Sequence, residues 1–71
     1  RRARAVALVK TLSPRQRQIL ERIAAGHRSK QIAWQLSLSE KTVKMHRALL
    51  FAKLDTTNVA DVIRIAVEAG L

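Results

Sequence analysis

Apolar residues recur along this chain at the three- and four-residue spacing of amphipathic helices. The first clear helix begins at Ser13, which can accept from free amides, with Pro14 next and Gln16 placed to complete a capping box. Its apolar side consists of Ile19, Leu20, Ile23 and Ala24. Gly26 suits the left-handed residue that closes a helix, so this helix is predicted to end there.

A short second helix and a longer third helix follow. Ser29 is predicted to cap the second helix, whose apolar side is formed by Ile32, Ala33 and Leu36. A helix of about two turns is unstable alone, so packing against its neighbours must hold it, as in the first helix of a helix-turn-helix pair. Ser39 is predicted to cap the third helix, residues 40–54. The inward side of this third helix is predicted to carry Val43, Arg47, Leu50 and Leu54.

A fourth helix is predicted to begin at Asn58, which has Asp61 three residues later, and to end near Gly70. Its apolar residues are Val59, Ala60, Val62, Ile63, Ile65, Ala66, Val67 and Ala69. They cover a wider face than one core needs, so a second surface is expected to pack against this helix. The pattern as a whole predicts an all-α fold of four helices.

Residues 1–11 precede these helices and alternate Arg with Ala, Val and Leu. We interpret them as a basic linker or an N-terminal arm from an upstream domain, and residues 12–71 as the helical domain. The alternation would also suit a linker helix. Arg1, Arg2 and Arg4 could follow a phosphate backbone, but solvated linkers are often equally basic, so both readings stay open.

The composition indicates a folded domain with a polyanionic partner. Of the 71 residues, 48% are hydrophobic and 27% are charged, and Trp34 and Phe51 are the only aromatic residues. The formal net charge is +9, which favours a nucleic acid as partner, although anionic membranes attract the same charge. No apolar run approaches the roughly 20 residues of a membrane span.

Metal, cofactor and catalytic chemistry are not expected. The chain has no Cys, and His27 and His46 lack the spacing of metal ligands. No Gly-rich phosphate loop, pair of catalytic acids or nucleophile with its base is visible, so an enzyme is not expected. His46 could contact a phosphate, or pack and hydrogen-bond at a helix interface. Trp34 could contact a partner or form a half-buried cover of the core.

The outward side of the third helix carries the residues best suited to contact a nucleic acid. Opposite the apolar side lie Lys41, Met45, Ala48 and Ala52, with Lys44 beside them and Thr42 near the helix start. Lysine can donate to guanine, methionine can touch a thymine methyl group, and small alanines let a helix approach the groove floor. A plain solvated face is the alternative, and the net charge and the short preceding helix argue against it. The residues predicted to read bases are Lys41, Lys44, Met45 and Ala48.

Three stretches resemble the LuxR/FixJ/NarL-type, or GerE-like, helix-turn-helix domain. They are LSPRQRQIL at 12–20, AGHRSKQIA at 25–33 and LSEKTVKMHR at 38–47, and the continuation at 46–48 and 52–54 is similar to FixJ-like response regulators. The resemblance implies that the second and third helices form the DNA-binding pair, with the third as recognition helix. It also implies an upstream receiver or ligand-sensing domain and dimerisation through the fourth helix.

The resemblance and the residue chemistry together suggest further contacts. The predicted DNA-backbone residues are Arg15, Lys30, Thr42, His46 and Arg47, the last with a packed stem and a guanidinium that reaches a phosphate. The predicted dimerisation residues are Val59, Val62, Ile63, Ala66 and Val67. The chain departs from the family where Gln16 and Gln18 replace frequent Glu residues, and where Ala48 replaces a base-reading Lys of some members.

The leading hypothesis is sequence-specific double-stranded DNA binding by the C-terminal effector domain of a bacterial transcription regulator, in a two-component response regulator of the cytoplasm. A homodimer on DNA is expected, with RNA polymerase as a further candidate partner and no membrane. One alternative is region 4 of an RNA polymerase sigma factor, although the break at residues 55–58 and the short apolar helix after it suit a regulator better. A basic amphipathic module that binds an anionic membrane or an acidic protein is the alternative from another class.

Overall fold

Residues 2–71, which the computed structural model describes, form five helices without any strand. They are α1 (Arg2–Lys10), α2 (Pro14–Ala24), α3 (Ser29–Leu36), α4 (Glu40–Lys53) and α5 (Val59–Glu68). The all-α prediction is confirmed, and α2 to α5 are the four predicted helices. Helix α1 is a fifth helix beyond the four predicted. It lies in the segment interpreted as a linker or arm, which is helical from Arg2 onward. The predicted arm residue Arg1 lies outside the described residues.

Local hydrogen bonds start the helices where the sequence predicts, with one exception. Ser13 and Gln16 form the complete capping box of α2, and the side chains of Ser39 and Asn58 cap α4 and α5. The prediction that Ser29 caps α3 is wrong by one residue. Arg28 is the extended residue before that helix, and its amide donates to Oε1 of Gln31 at 2.9 Å.

Residues with positive φ end the helices and turn the chain. Gly26 and Gly70, at φ of 89° and 83°, follow α2 and α5 as the sequence predicts. Ser37 adopts the left-handed conformation directly after α3, at φ of 57°. The Leu38 amide then donates to the carbonyl of Ala33 at 2.9 Å, so the chain turns into α4 within three residues.

One aliphatic core unites all five helices. Its largest fully buried side chains are Ile19, Leu20, Ile32, Val43, Leu50 and Val62. Ala5 and Val9 of α1 belong to the same core. Helix α5 packs against both α2 and α1, which accounts for much of the wide apolar face that the sequence assigns to it. The second surface expected against this helix is therefore supplied in part by residues 2–10.

Gln16 is a buried polar residue that connects the end of α4 to the junction between α1 and α2. Its side chain is 6% exposed, and its Oε1 accepts from the Ser13 amide and from Nζ of Lys53, both at 2.9 Å. The Lys53 Nζ also donates to the carbonyl of Thr11 at 3.1 Å. These hydrogen bonds hold the last turn of α4 against the junction between α1 and α2.

Replacement of this acceptor is expected to cost stability. Gln16→Leu leaves the Ser13 amide and the Lys53 ammonium without their shared oxygen, so we expect a loss of about 1–2 kcal/mol in the free energy of unfolding. Denaturant titration followed by circular dichroism measures it. Gln18→Leu is the matched control, because Gln18 is exposed on the same helix and should change stability by less than about 0.5 kcal/mol. Equal losses in both variants would contradict this role of Gln16.

Candidate nucleic-acid interface

Helices α3 and α4 form the predicted helix-turn-helix pair. Residues 37–39 join them, and the two helices pack against each other. The eight residues of α3 form a helix too short to persist alone, and Ile32 and Ala33 bury its inner side. The core therefore fixes the position of α4 relative to α3.

The inner side of α4 is buried as predicted. Val43 and Leu50 are fully buried and Leu54 is nearly so. Arg47 is half-buried on this helix, and its guanidinium lies over the ring of Phe51 at 5.6 Å from the centroid. The charged end of Arg47 thus packs on the Phe51 ring.

The outer side of α4 is open. Lys41, Lys44, Met45 and Ala48 are all exposed, and we refer to these four residues as the reading surface. Met45 is the large apolar residue among them and is 53% exposed. The four side chains lie on the part of the helix opposite the core, so nothing in residues 2–71 covers them.

The amino end of α4 is held by side-chain hydrogen bonds. The Ser39 hydroxyl accepts from the Thr42 amide at 3.0 Å and donates to the Thr42 hydroxyl at 2.8 Å. Glu40 lies in the first turn, and its Oε2 is 3.9 Å from Nζ of Lys44. Glu40 thus forms an exposed ion pair with one of the lysines predicted to read bases.

The predicted backbone-contacting residues lie on three helices. Arg15 is half-buried on α2, and Lys30 is exposed near the start of α3. Thr42 and His46, four residues apart, share one flank of α4, and Arg47 lies on the other flank. The Nδ1 atom of His46 is buried without a hydrogen-bond partner in the described part of the chain, so the interface hydrogen bond considered for this histidine is not formed at that atom.

Comparison with known proteins identifies the family to which this chain belongs. The family model described as "Bacterial regulatory proteins, luxR family" matches residues 10–66. The chain belongs to the luxR family of bacterial regulatory proteins. It is thus a LuxR-type helix-turn-helix DNA-binding domain, which decides against the sigma-factor alternative.

Individual relatives and a similar solved structure agree with this family assignment. The chain is 39% identical to the transcriptional regulatory protein FixJ of Rhizobium meliloti over 90% of this chain and 31% of that protein. It is 37% identical to nodulation protein W of Bradyrhizobium diazoefficiens, over 92% of this chain and 29% of that protein. The crystal structure of full-length FixJ from B. japonicum matches 97% of this chain and 34% of that one, at a TM-score of 0.85 and 33% identity. The chain spans about a third of the length of these relatives.

The predicted dimerisation residues of this luxR-family domain do not share one surface. Val62 and Ala66 are fully buried in the core, so their prediction as contacts to a second copy is wrong. Val59 and Val67 are 42% and 66% exposed, and Ile63 is partly buried between them. These three residues are four apart and form one stripe along α5, which we call the α5 stripe. Ile65, two residues from Ile63, lines the groove towards α1, whereas Val59 and Ile63 line a second cavity that faces Ile23 and Arg47.

Trp34 is the most exposed large apolar side chain recorded for residues 2–71, at 86%. The interpretation of this residue as a half-buried cover of the core is wrong. Ile32 and Ala33 fill the inner side of α3, and Trp34 projects from the outer side beside Lys30, Gln31 and Gln35.

Two further observations concern other classes of function. No helix formed by residues 2–71 has the length and apolar character needed to cross a membrane. Within the same residues, no group of three or more His, Asp or Glu side chains is placed to hold a metal ion.

The exposure of Trp34 generates a stability prediction. Trp34→Ala should change the free energy of unfolding by less than about 0.5 kcal/mol, because the indole buries little surface. Ile32→Ala on the same helix should cost about 2–5 kcal/mol, because it opens a cavity in the core. Thermal unfolding of both variants measures the difference. A large loss for Trp34→Ala alone would show that the indole packs on the domain.

Proposed function

We propose that this chain is the C-terminal effector domain of a bacterial transcription regulator, and that α4 enters the major groove of a specific DNA site. The observation that carries the proposal is the two-sided character of α4. Its inner side is buried, while Lys41, Lys44, Met45 and Ala48 are exposed together on the outer side. A helix placed on a rigid core with one open, lysine-bearing side is the geometry that major-groove recognition requires.

The chemistry of each of the four side chains determines which groups of the DNA it can contact. Lys41 and Lys44 donate to guanine O6 and N7, and Met45 contacts a thymine methyl group. Ala48 is small and lets the middle of α4 approach the base edges. Sequence preference in this proposal comes from these residues, because phosphate contacts carry no direct sequence information.

Contacts to the sugar-phosphate backbone come from residues around this helix. We assign them to Arg15, Lys30, Thr42, His46 and Arg47. Lys30 near the start of α3 has the best support, because it is exposed and the amino end of a helix also favours phosphate. Such contacts set the orientation of the domain on the duplex and make its affinity depend on salt.

The whole protein, in this proposal, is a cytoplasmic response regulator that binds DNA as a homodimer. The α5 stripe is the dimer contact, supported by the exposure of Val59 and Val67 on either side of the partly buried Ile63. A receiver domain precedes residues 1–11, which connect it to the helix-turn-helix domain and, as α1, pack into the core of that domain. RNA polymerase is a further candidate partner on the promoter. Two relatives whose names support the regulatory part of this proposal are FixJ and the response regulator TodT of Pseudomonas putida.

Two lysine variants separate base reading from bulk charge. Lys44→Ala should weaken binding to the selected duplex about tenfold and relax the preference at one base pair, because a direct contact to a base is lost. Lys30→Ala removes the same charge from α3 and should weaken all duplexes alike, with the salt slope reduced by about 1. Selection from a random duplex pool at two ionic strengths measures both effects. Identical changes in the two variants would remove the basis for α4 as the recognition helix.

A charge placed in the α5 stripe tests dimerisation. Val67→Asp should lower the affinity for a duplex with two half-sites and leave the affinity for one half-site unchanged, because it inserts a charge into an apolar contact. Ala3→Asp introduces the same charge on the exposed side of α1 and serves as control. Gel-shift titrations with both duplexes make the comparison. Unchanged cooperativity in Val67→Asp would place the dimer contact elsewhere.

A further inference from the structure

The acidic residues of this chain are unevenly distributed. Three of the five, Asp55, Asp61 and Glu68, line the groove between α1 and α5. Glu21 pairs with Arg17 on α2, 3.7 Å apart. Only Glu40 is left for the DNA-binding pair, since α3 and α4 contain no other Asp or Glu.

Glu40 therefore stands alone among positive charges. Helices α3 and α4 carry five Lys and Arg residues, which are Lys30, Lys41, Lys44, Arg47 and Lys53. A carboxylate at the amino end of a recognition helix opposes binding to phosphates, because like charges repel. Its contribution to general DNA affinity is unfavourable, whereas a carboxylate can discriminate between sequences by disfavouring duplexes that offer it no donor.

The ion pair with Lys44 leaves both groups free for DNA. Their side chains are 47% and 68% exposed, and an exposed pair of this kind contributes little to stability. Residues four apart on a helix point the same way, so the carboxylate and the ammonium face the same part of the groove. Cytosine offers the N4 amino group as donor there, and guanine offers O6 and N7 as acceptors.

We propose that Glu40 is a specificity determinant that accepts a hydrogen bond from the N4 amino group of a cytosine while Lys44 donates to a neighbouring guanine. This inference rests on the proposed function, because it requires α4 to lie in the major groove. On a sequence without that cytosine, the carboxylate loses water without gaining a donor. Glu40 thus weakens non-cognate complexes more than the cognate one.

A purely structural role of Glu40 has a different signature. A negative charge in the first turn also stabilises the helix through the dipole. Glu40→Asp keeps that charge and shortens the side chain by one methylene group, so it preserves the dipole interaction and withdraws the carboxylate from the base edge. If Glu40 acts only through the helix dipole, Glu40→Asp should keep the base preference of the unaltered chain. If Glu40 reads a base, Glu40→Asp should lose that preference.

The experiment uses the 71-residue chain and three variants at this position, Glu40→Asp, Glu40→Ala and Glu40→Gln. Each is used to select duplexes from a random pool, and each is titrated against the duplex enriched by the unaltered chain and against a random-sequence duplex. Glu21→Gln is the matched control, because Glu21 belongs to another exposed pair four residues apart, on α2. Thermal unfolding of every variant reports on folding independently.

The expected results are specific to each variant. The unaltered chain should enrich cytosine at one position, and Glu40→Ala should lose the preference there and reduce the ratio of cognate to random affinity about tenfold. Glu40→Gln should shift that position towards adenine, because an amide matches the N6 and N7 groups of adenine. Glu40→Asp should resemble Glu40→Ala in selectivity while unfolding at nearly the original temperature. Glu21→Gln should keep the original preference.

Two outcomes separate failure of this inference from failure of the proposed function. A chain that enriches a motif, with Glu40→Ala enriching the same motif at the same affinity ratio, overturns the role of Glu40 and leaves the proposed function intact. Full selectivity in Glu40→Asp overturns it in the same way and assigns Glu40 to helix stability. A chain that enriches no motif overturns the proposed function, and this inference fails with it.

Discussion

The arrangement of the whole domain depends on the burial of one side of α4. Val43, Leu50 and Leu54 anchor that side in the core, while the reading surface occupies the other side of the same helix. The core therefore sets the height and rotation at which the reading surface is presented. Helix α3 is too short to persist without this packing, so the DNA-binding pair and the core form one cooperative structure.

The acidic and basic side chains are also distributed unevenly over the domain. Most acidic side chains are gathered in the groove between α1 and α5 or on α2, while α3 and α4 are strongly basic. A net charge of +9 on 71 residues opposes the compact state through self-repulsion. In the proposed interface, a polyanion bound at α3 and α4 relieves part of that repulsion. Glu40 is the exception on this side and links charge to selectivity in the proposed interface.

Helix α5 shows how one apolar element serves several contacts. It packs on α2 through the core and on α1 along the groove that Ile65 lines, and it still presents Val59, Ile63 and Val67. In the proposed function, this last stripe is the contact to a second copy. Lys53 donates to Gln16 and to the carbonyl of Thr11, which connects the end of α4 to the α1–α2 junction.

The sequence by itself determined the features that depend on neighbours along the chain. The caps at Ser13, Ser39 and Asn58, the helix ends at Gly26 and Gly70, and the two sides of α4 all arise from local hydrogen bonds and helical periodicity. Only the tertiary structure decided which apolar residues are accessible. The burial of Val62 and Ala66, the exposure of Trp34 and the docking of α1 depend on which helices meet in space, and periodicity records which side of a helix is apolar but not what covers it.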